Sequence, residues 1–248
     1  VTEGLRQLRD TFDNLRRLKF VFLFLAAYWC YIDGVHTITR MAVDYGLSLG
    51  FDANNLVAAL LITQFVGFPA AILFGKVGSR LGAKTGIYIG IGVYVAVCVW
   101  AYFMDEVYEF YVLAGTIGLV IGGIQSLSRS FYSRIIPKNK AAEFFGFYNM
   151  LGKFAAVAGP VLLGSVGVLT GSPRIGILSV ILLFAAGGLL LRRVDERAGR
   201  EAARELERVY WDGVRRGLLI MSDDFSLYHI EHVFTDVLRL VAYPLETS

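Results

Sequence analysis

Six stretches of roughly 20 residues, nearly free of charge, decide what this chain can fold into. A hydrocarbon layer about 30 Å thick is crossed by some 17–25 consecutive apolar residues in a helix. The runs are residues 20–39, 54–75, 85–104, 110–128, 144–169 and 175–191. Asp33 and His36 interrupt the first and Lys153 the fifth, while the other four carry no charge. A closed barrel would instead show segments of about 10 residues with alternating polarity, and the sequence has no such pattern. Composition agrees: hydrophobic residues are 56%, charged residues 18%, and mean hydropathy is +0.57. Soluble domains are about 45–50% apolar and about 25% charged. The reading is an all-α, polytopic membrane bundle, which excludes a soluble enzyme, a nucleic-acid binder and a disulfide-stapled secreted module. Cys30 and Cys98 sit inside apolar runs, in neither a CxxC pair nor a metal-ligand spacing, and read as small buried hydrophobes.

Basic residues orient the bundle. Arg6, Arg9, Arg16, Arg17 and Lys19 precede the first span, and Lys76, Arg80 and Lys84 join the second to the third. Arg129, Arg134, Lys138 and Lys140 join the fourth to the fifth, and Arg192, Arg193, Arg197 and Arg200 follow the sixth. The opposite side has only Arg40 and Arg174, beside Asp44, Asp52, Asp105, Glu106 and Glu109. Both ends are therefore expected in the cytoplasm. The stretch before the first span lacks a cleavage site, so no signal peptide is expected. Three regions follow: residues 1–19 as a cytoplasmic linker, 20–194 as the six-span bundle, and 195–248 as an amphipathic helical tail. In the tail, Glu201, Glu205 and Arg208 have helical pairing spacing. Leu227, Ile230, Phe234, Val237, Leu238 and Val241 form one helical stripe.

Ionisable groups inside a span are costly, and each is a functional candidate. At about 1.5 Å per residue, Asp33 lies about 20 Å into the first span and Lys153 about 15 Å into the fifth. His36 and Arg40 follow Asp33 at i+3 and i+7, and Asn149 lies one turn below Lys153. Gln64 sits at similar depth in the second span, with Gln125 and Ser126 toward the inner end of the fourth. The third and sixth spans are plain and are expected to face lipid, leaving the other four around a polar cavity. That alternation suits two three-helix repeats with a midplane site, the usual build of a secondary transporter. Asp33 and Lys153 also suit a structural ion pair, Arg40 a snorkelling side chain, and the two glutamines interhelical glue. Gly86–Gly90 and Gly118–Gly122 match the GxxxG spacing of closely packed helices.

Catalytic chemistry has little support. Gly82-Ala83-Lys84-Thr85 lacks the Gly-Lys dipeptide of a phosphate loop, and His229 and His232 suit a solvated helix face better than a metal site. No nucleophile–base constellation converges, so neither catalytic residues nor a metal or cofactor is expected.

The run from Gly75 through Lys76, Gly78, Arg80 and Gly82 to Lys84, between the second and third spans, resembles the loop signature of the major facilitator superfamily. The family's acidic residue corresponds to Ser79 here, so its salt-bridge latch is not expected. Longer stretches narrow the resemblance: Tyr31-Ile32-Asp33-Gly34-Val35, the GGIQSLSRS run at 122–130, the EFFGFYN run at 143–149, Gly152-Lys153 and Gly159-Pro160. Together they resemble the bacterial facilitators grouped with the fungal vacuolar amino-acid effluxer, over roughly residues 15–195. This resemblance implies the C-terminal six-helix half of a twelve-span protein, with residues 1–19 as the linker between halves. A full-length member of the superfamily would supply six further spans, so the resemblance implies a missing N-terminal half, or else a second copy that pairs with this one; a start at Val1 rather than Met also suits a fragment.

The leading expectation is a multi-pass bacterial inner-membrane transporter using alternating access, moving a small polar solute such as an amino acid. Its site would hold Asp33, Lys153, Gln64, Asn149, Gln125 and His36, with Gly75, Arg80, Gly82 and Lys84 as a cytoplasmic gate loop. Asp33 would carry a coupling proton or meet a substrate cation, and Lys153 would meet a substrate carboxylate or hold Asp33 charged. Its partners would be the lipid bilayer, a small-molecule substrate and protons. A reading from another class is a non-transporting membrane scaffold or sensor acting through its tail; a membrane enzyme or flippase lacks a catalytic constellation.

Overall fold

The computed structural model describes residues 19–224, and these are almost wholly helical. The first four spans are single helices: α1 Lys19–Ser48, α2 Ala53–Leu81, α3 Ala83–Phe103 and α4 Val107–Ile135. After a short 3-10 turn at Lys138–Lys140, the fifth span is broken into α5 Ala141–Phe154 and α6 Ala158–Thr170. The sixth is broken at Val180 into α7 Pro173–Ser179 and α8 Ile181–Arg192, and α9 Glu196–Asp224 follows. Six helical segments are long and apolar enough to cross a membrane, in agreement with the six runs read from the sequence.

Local chemistry sets the ends. Asp52 caps α2 by accepting the Asn54 N–H at 2.8 Å, and Glu109 accepts the N–H groups of Asp105 and Glu106 at 3.0 and 3.1 Å to close a capping box on α4. At the same end of the bundle Arg174 meets Asp105 at 2.5 Å. At the opposite, basic end Lys84 donates to the Val194 carbonyl at 2.7 Å, tying the start of α3 to the exit of α8. Glu196 at the start of α9 pairs with Arg134 and Arg200.

The core lies among α1, α3, α4 and α8. The α4 helix packs against α2 and α3, and α1 against α8. Gly86 and Gly90 of α3 face Leu127 and Ile124 of α4, as their spacing predicts. Gly118 rests on the Thr63 backbone, where an added Cβ would stand 2.6 Å from the carbonyl oxygen. An aromatic cluster joins α1, α4 and α5: Tyr28 stacks on Tyr148 at 4.2 Å, and Tyr148 on Tyr132 at 5.0 Å.

The Gly75–Lys84 run differs from its expected loop. The α2 helix continues through Gly75 and Arg80 to Leu81, and the turn is Gly82 alone, at φ 87°. No proline interrupts residues 75–81, and Gly75 and Gly78 are carried within the helix; the turn falls at Gly82, whose φ of 87° only a glycine adopts without strain. Residues to Ala203 form one compact unit, and a second begins at Arg204, within α9. The tail stripe from Leu227 to Val241, and most of the 1–19 linker, lie outside the described residues.

Candidate functional site

A polar cleft of about 730 Å³ opens on the bundle, lined by three helices. Each contributes residues at helical repeat spacing. From α1 come Tyr28, Ile32, His36 and Arg40; from α4, Gly122, Gln125, Ser126 and Arg129; from α5, Tyr148, Asn149, Gly152 and Lys153. The third and sixth spans contribute nothing to this lining, and neither does the second.

The cleft is cationic. Arg40, Arg129 and Lys153 line it, and no carboxylate does. Among the described residues none of the three enters an ion pair; the Arg129 guanidinium reaches only the Asn149 amide oxygen, at 3.5 Å. The buried Nδ1 of His36 has no hydrogen-bond partner in the described structure. An uncompensated charge at membrane depth costs at least about 2.5 kcal/mol, so such groups persist where they reach water, a partner or a solute. The wall behind them is rigid: Tyr31 and Ser128 share a 2.7 Å hydrogen bond between α1 and α4, and Tyr132 donates to the Phe144 carbonyl at 3.0 Å.

Of the residues singled out from the sequence, His36, Gln125, Asn149 and Lys153 meet in this cleft. Asp33 and Gln64 do not. Asp33 is 1% exposed and turned toward the break in the fifth span, where its Oδ2 accepts the Gly159 N–H at 2.9 Å. Gln64 lines a separate, mostly apolar cavity of about 330 Å³ with Thr39, Tyr45, Thr63 and residues of α3, α4 and α7. The proposed gate residues are split between the end of α2 (Gly75, Arg80), the hinge Gly82, and Lys84, which holds the Val194 carbonyl. Arg40 and Arg129 escaped the sequence reading of the site because flanking basic residues report first on orientation. Their i+4 spacing from His36 and Gln125 was the available signal.

The break itself has a local cause. Pro160 has no N–H for the Ala156 carbonyl, and its ring crowds that carbonyl, so one helix cannot run through. The second half then starts at Ala158 with no cap from its own N-terminal residue, Val157. Asp33 supplies an acceptor from another helix. Gly159 leaves room for this, since an added Cβ there would run into Thr37 and stand 3.1 Å from Asp33 Oδ1.

Fold and site thus define a class: an integral, multi-pass membrane bundle with a polar cleft between its spans. Comparison with known proteins narrows it. Residues 1–204 match the family described as vacuole effluxer Atg22 like, and the chain belongs to that family. It is 41% identical over 205 residues to the Bacillus subtilis (strain 168) protein named uncharacterized MFS-type transporter YxiO, covering 83% of this chain and 48% of that one. Autophagy-related protein 22 of Yarrowia lipolytica is 31% identical over 220 residues, covering 84% of this chain and 37% of its own. The Saccharomyces cerevisiae (strain ATCC 204508 / S288c) protein of that name is 27% identical over 233 residues, covering 86% and 43%. The chain therefore spans less than half the length of these relatives. It has the architecture of a six-helix half of a major-facilitator fold.

Proposed function

We propose that this chain is one six-helix half of a secondary transporter that works by alternating access and carries a small polar solute, an amino acid being the leading case. One observation carries the reading: three cations, two amides, a histidine and a serine converge on one cleft in an otherwise apolar bundle. Lys153 and Arg129 suit the carboxylate of such a solute, while Gln125, Asn149 and Ser126 supply neutral donors and acceptors that orient it. The family's description as vacuole effluxers supports an efflux direction.

A second six-helix unit completes the path, provided by a longer chain or by another copy. Support comes from large apolar side chains left uncovered on the second and fifth spans: Phe65 and Phe68 are 77% and 79% exposed, and Val161 and Val168 are 64% and 83% exposed. The Lys/Arg asymmetry favours both ends of the bundle in the cytoplasm, and the similarity to the Bacillus subtilis protein favours a bacterial cell membrane. Proteoliposomes containing the transporter test the reading. Saturable uptake of a labelled small amino acid, abolished by a proton uncoupler, is expected. A folded, reconstituted protein that moves no member of an amino-acid and organic-acid panel would overturn it.

A further inference from the structure

The transport reading leaves one buried group without a task. Asp33 is 1% exposed, and its Oδ1 has no hydrogen-bond partner in the described structure. Its other oxygen accepts the Gly159 N–H at 2.9 Å, and the Ala158 N–H, also in the first turn of the 13-residue helix α6, faces the same carboxylate. The positive end of that helix therefore faces an ionisable carboxylate on a different span, across a break that Pro160 enforces. Lys153, in the cleft, sits on the other side of the same break.

We propose that Asp33 is a proton-binding site whose occupancy sets the bend of the fifth span. The ionised carboxylate caps α6 from α1 and holds the two half-helices at their present angle. A proton taken at Oδ1 removes the charge that the helix terminus attracts and weakens the bond from Gly159. The fifth span then re-angles about residues 155–157, and Lys153 moves relative to Arg129 and His36. This rests on the transport reading and gives it a coupling step: the proton acts through the hinge, with no contact between Asp33 and solute.

A proton fits better than a metal ion. One carboxylate oxygen is free, and the neighbouring Thr37 hydroxyl is spent on the Asp33 carbonyl at 2.7 Å. Metal cations need about six oxygens, and a proton needs one. The surroundings hold few competing charges. On its own helix Asp33 has Cys30 and His36 one turn to either side. Of the elements packed against α1, α6 contains no ionisable residue and α8 only Arg192, at its far end; α5 contributes Lys153, α4 contributes Arg129 in the cleft, and α7 has Arg174, paired with Asp105 at the outer end.

The test is a distance across the hinge. Spin labels at Gly146 and Val168, both exposed, report the angle between α5 and α6 in the reconstituted transporter. Wild type should show one distance at high pH and a second that grows as pH falls. Asp33→Asn should show the low-pH distance at every pH. Val157→Ser is designed to give α6 a cap of its own: residue 157 now has φ −117°, ψ −47°, and a serine that shifts to extended backbone there accepts the Gly159 N–H. It should keep the high-pH distance throughout, alone and combined with Asp33→Asn.

A wild-type distance indifferent to pH would overturn the proposal, as would an Asp33→Asn protein that responds like wild type. So would a response that follows sodium at fixed pH. Should Asp33→Asn fail to fold, the wild-type measurement decides alone, and a hinge distance indifferent to pH overturns the proposal. Uptake separates this proposal from the one beneath it. Accumulation driven by a pH gradient should fall at least tenfold in Asp33→Asn. Undiminished accumulation in that folded variant strikes the proton site and leaves transport standing. A pH-dependent bend in a protein that accumulates nothing upholds the proton site and strikes the transport reading.

Discussion

Gly159→Ala isolates the contact on which the fifth span turns. An added Cβ would meet the Thr37 hydroxyl, stand 2.9 Å from Thr37 Cβ and 3.1 Å from Asp33 Oδ1. Thr37 has nowhere easy to go, being fully buried and bonded to the Asp33 carbonyl at 2.7 Å. Overpacking of this kind costs about 1–3 kcal/mol, and giving up the Thr37 bond about 1 kcal/mol more. Against that stands a gain of about 0.5–1 kcal/mol for replacing a helical glycine. The net expectation is a loss of about 1–3.5 kcal/mol, roughly 5- to 400-fold in the unfolding equilibrium. Gly164, on the same helix, is the control: nothing lies within 4 Å of its Cβ position, so Gly164→Ala should stabilise by about 0.5–1 kcal/mol. Reversible unfolding in bicelles would measure both. Thr37→Ala should restore part of the loss in Gly159→Ala, a coupling of about 0.5–3 kcal/mol. Equal, same-sign shifts at the two glycines, or strict additivity with Thr37→Ala, would refute the described contact.

Lys153→Gln should leave stability within about 0.5 kcal/mol, because no described ion pair depends on the ammonium, yet cut uptake tenfold or more. A loss of about 3–5 kcal/mol would instead reveal a broken buried pair. Orientation is checked at Asn139, in the exposed turn before α5: a cysteine there should react with an impermeant reagent only from the cytoplasmic side, and labelling only from outside would reverse the topology.

The six spans were legible because run length against bilayer thickness is nearly decisive, and the plain third and sixth spans do stay out of the polar cleft. The facing of single residues was less legible. Asp33 and His36 are three positions apart, which on a helix leaves them about 60° out of register. That offset sends His36 into the cleft and Asp33 to α6, and only the placement of the neighbouring helices reveals it. Gln64 is the same case, at similar depth but on a face of α2 that looks into the apolar cavity. The break in the fifth span had a sequence sign, Gly159-Pro160, but the length of the run, apolar on both sides of the pair apart from Asn149 and Lys153, concealed its consequence. Membrane helices tolerate proline where another element satisfies the freed backbone, and here that element is Asp33.

The central claim is that the cleft on α1, α4 and α5 is a path open to each side of the membrane in turn. Cysteine at Asn149, in a Cys30→Ala, Cys98→Ala background, tests it without knowledge of the solute. Both vesicle orientations are treated with an impermeant thiol reagent. Labelling from either side is expected, with Gly92→Cys, on an exposed face of α3 away from the cleft, unreactive from both. Labelling of the Asn149 position from one side only, or from neither, would contradict the account.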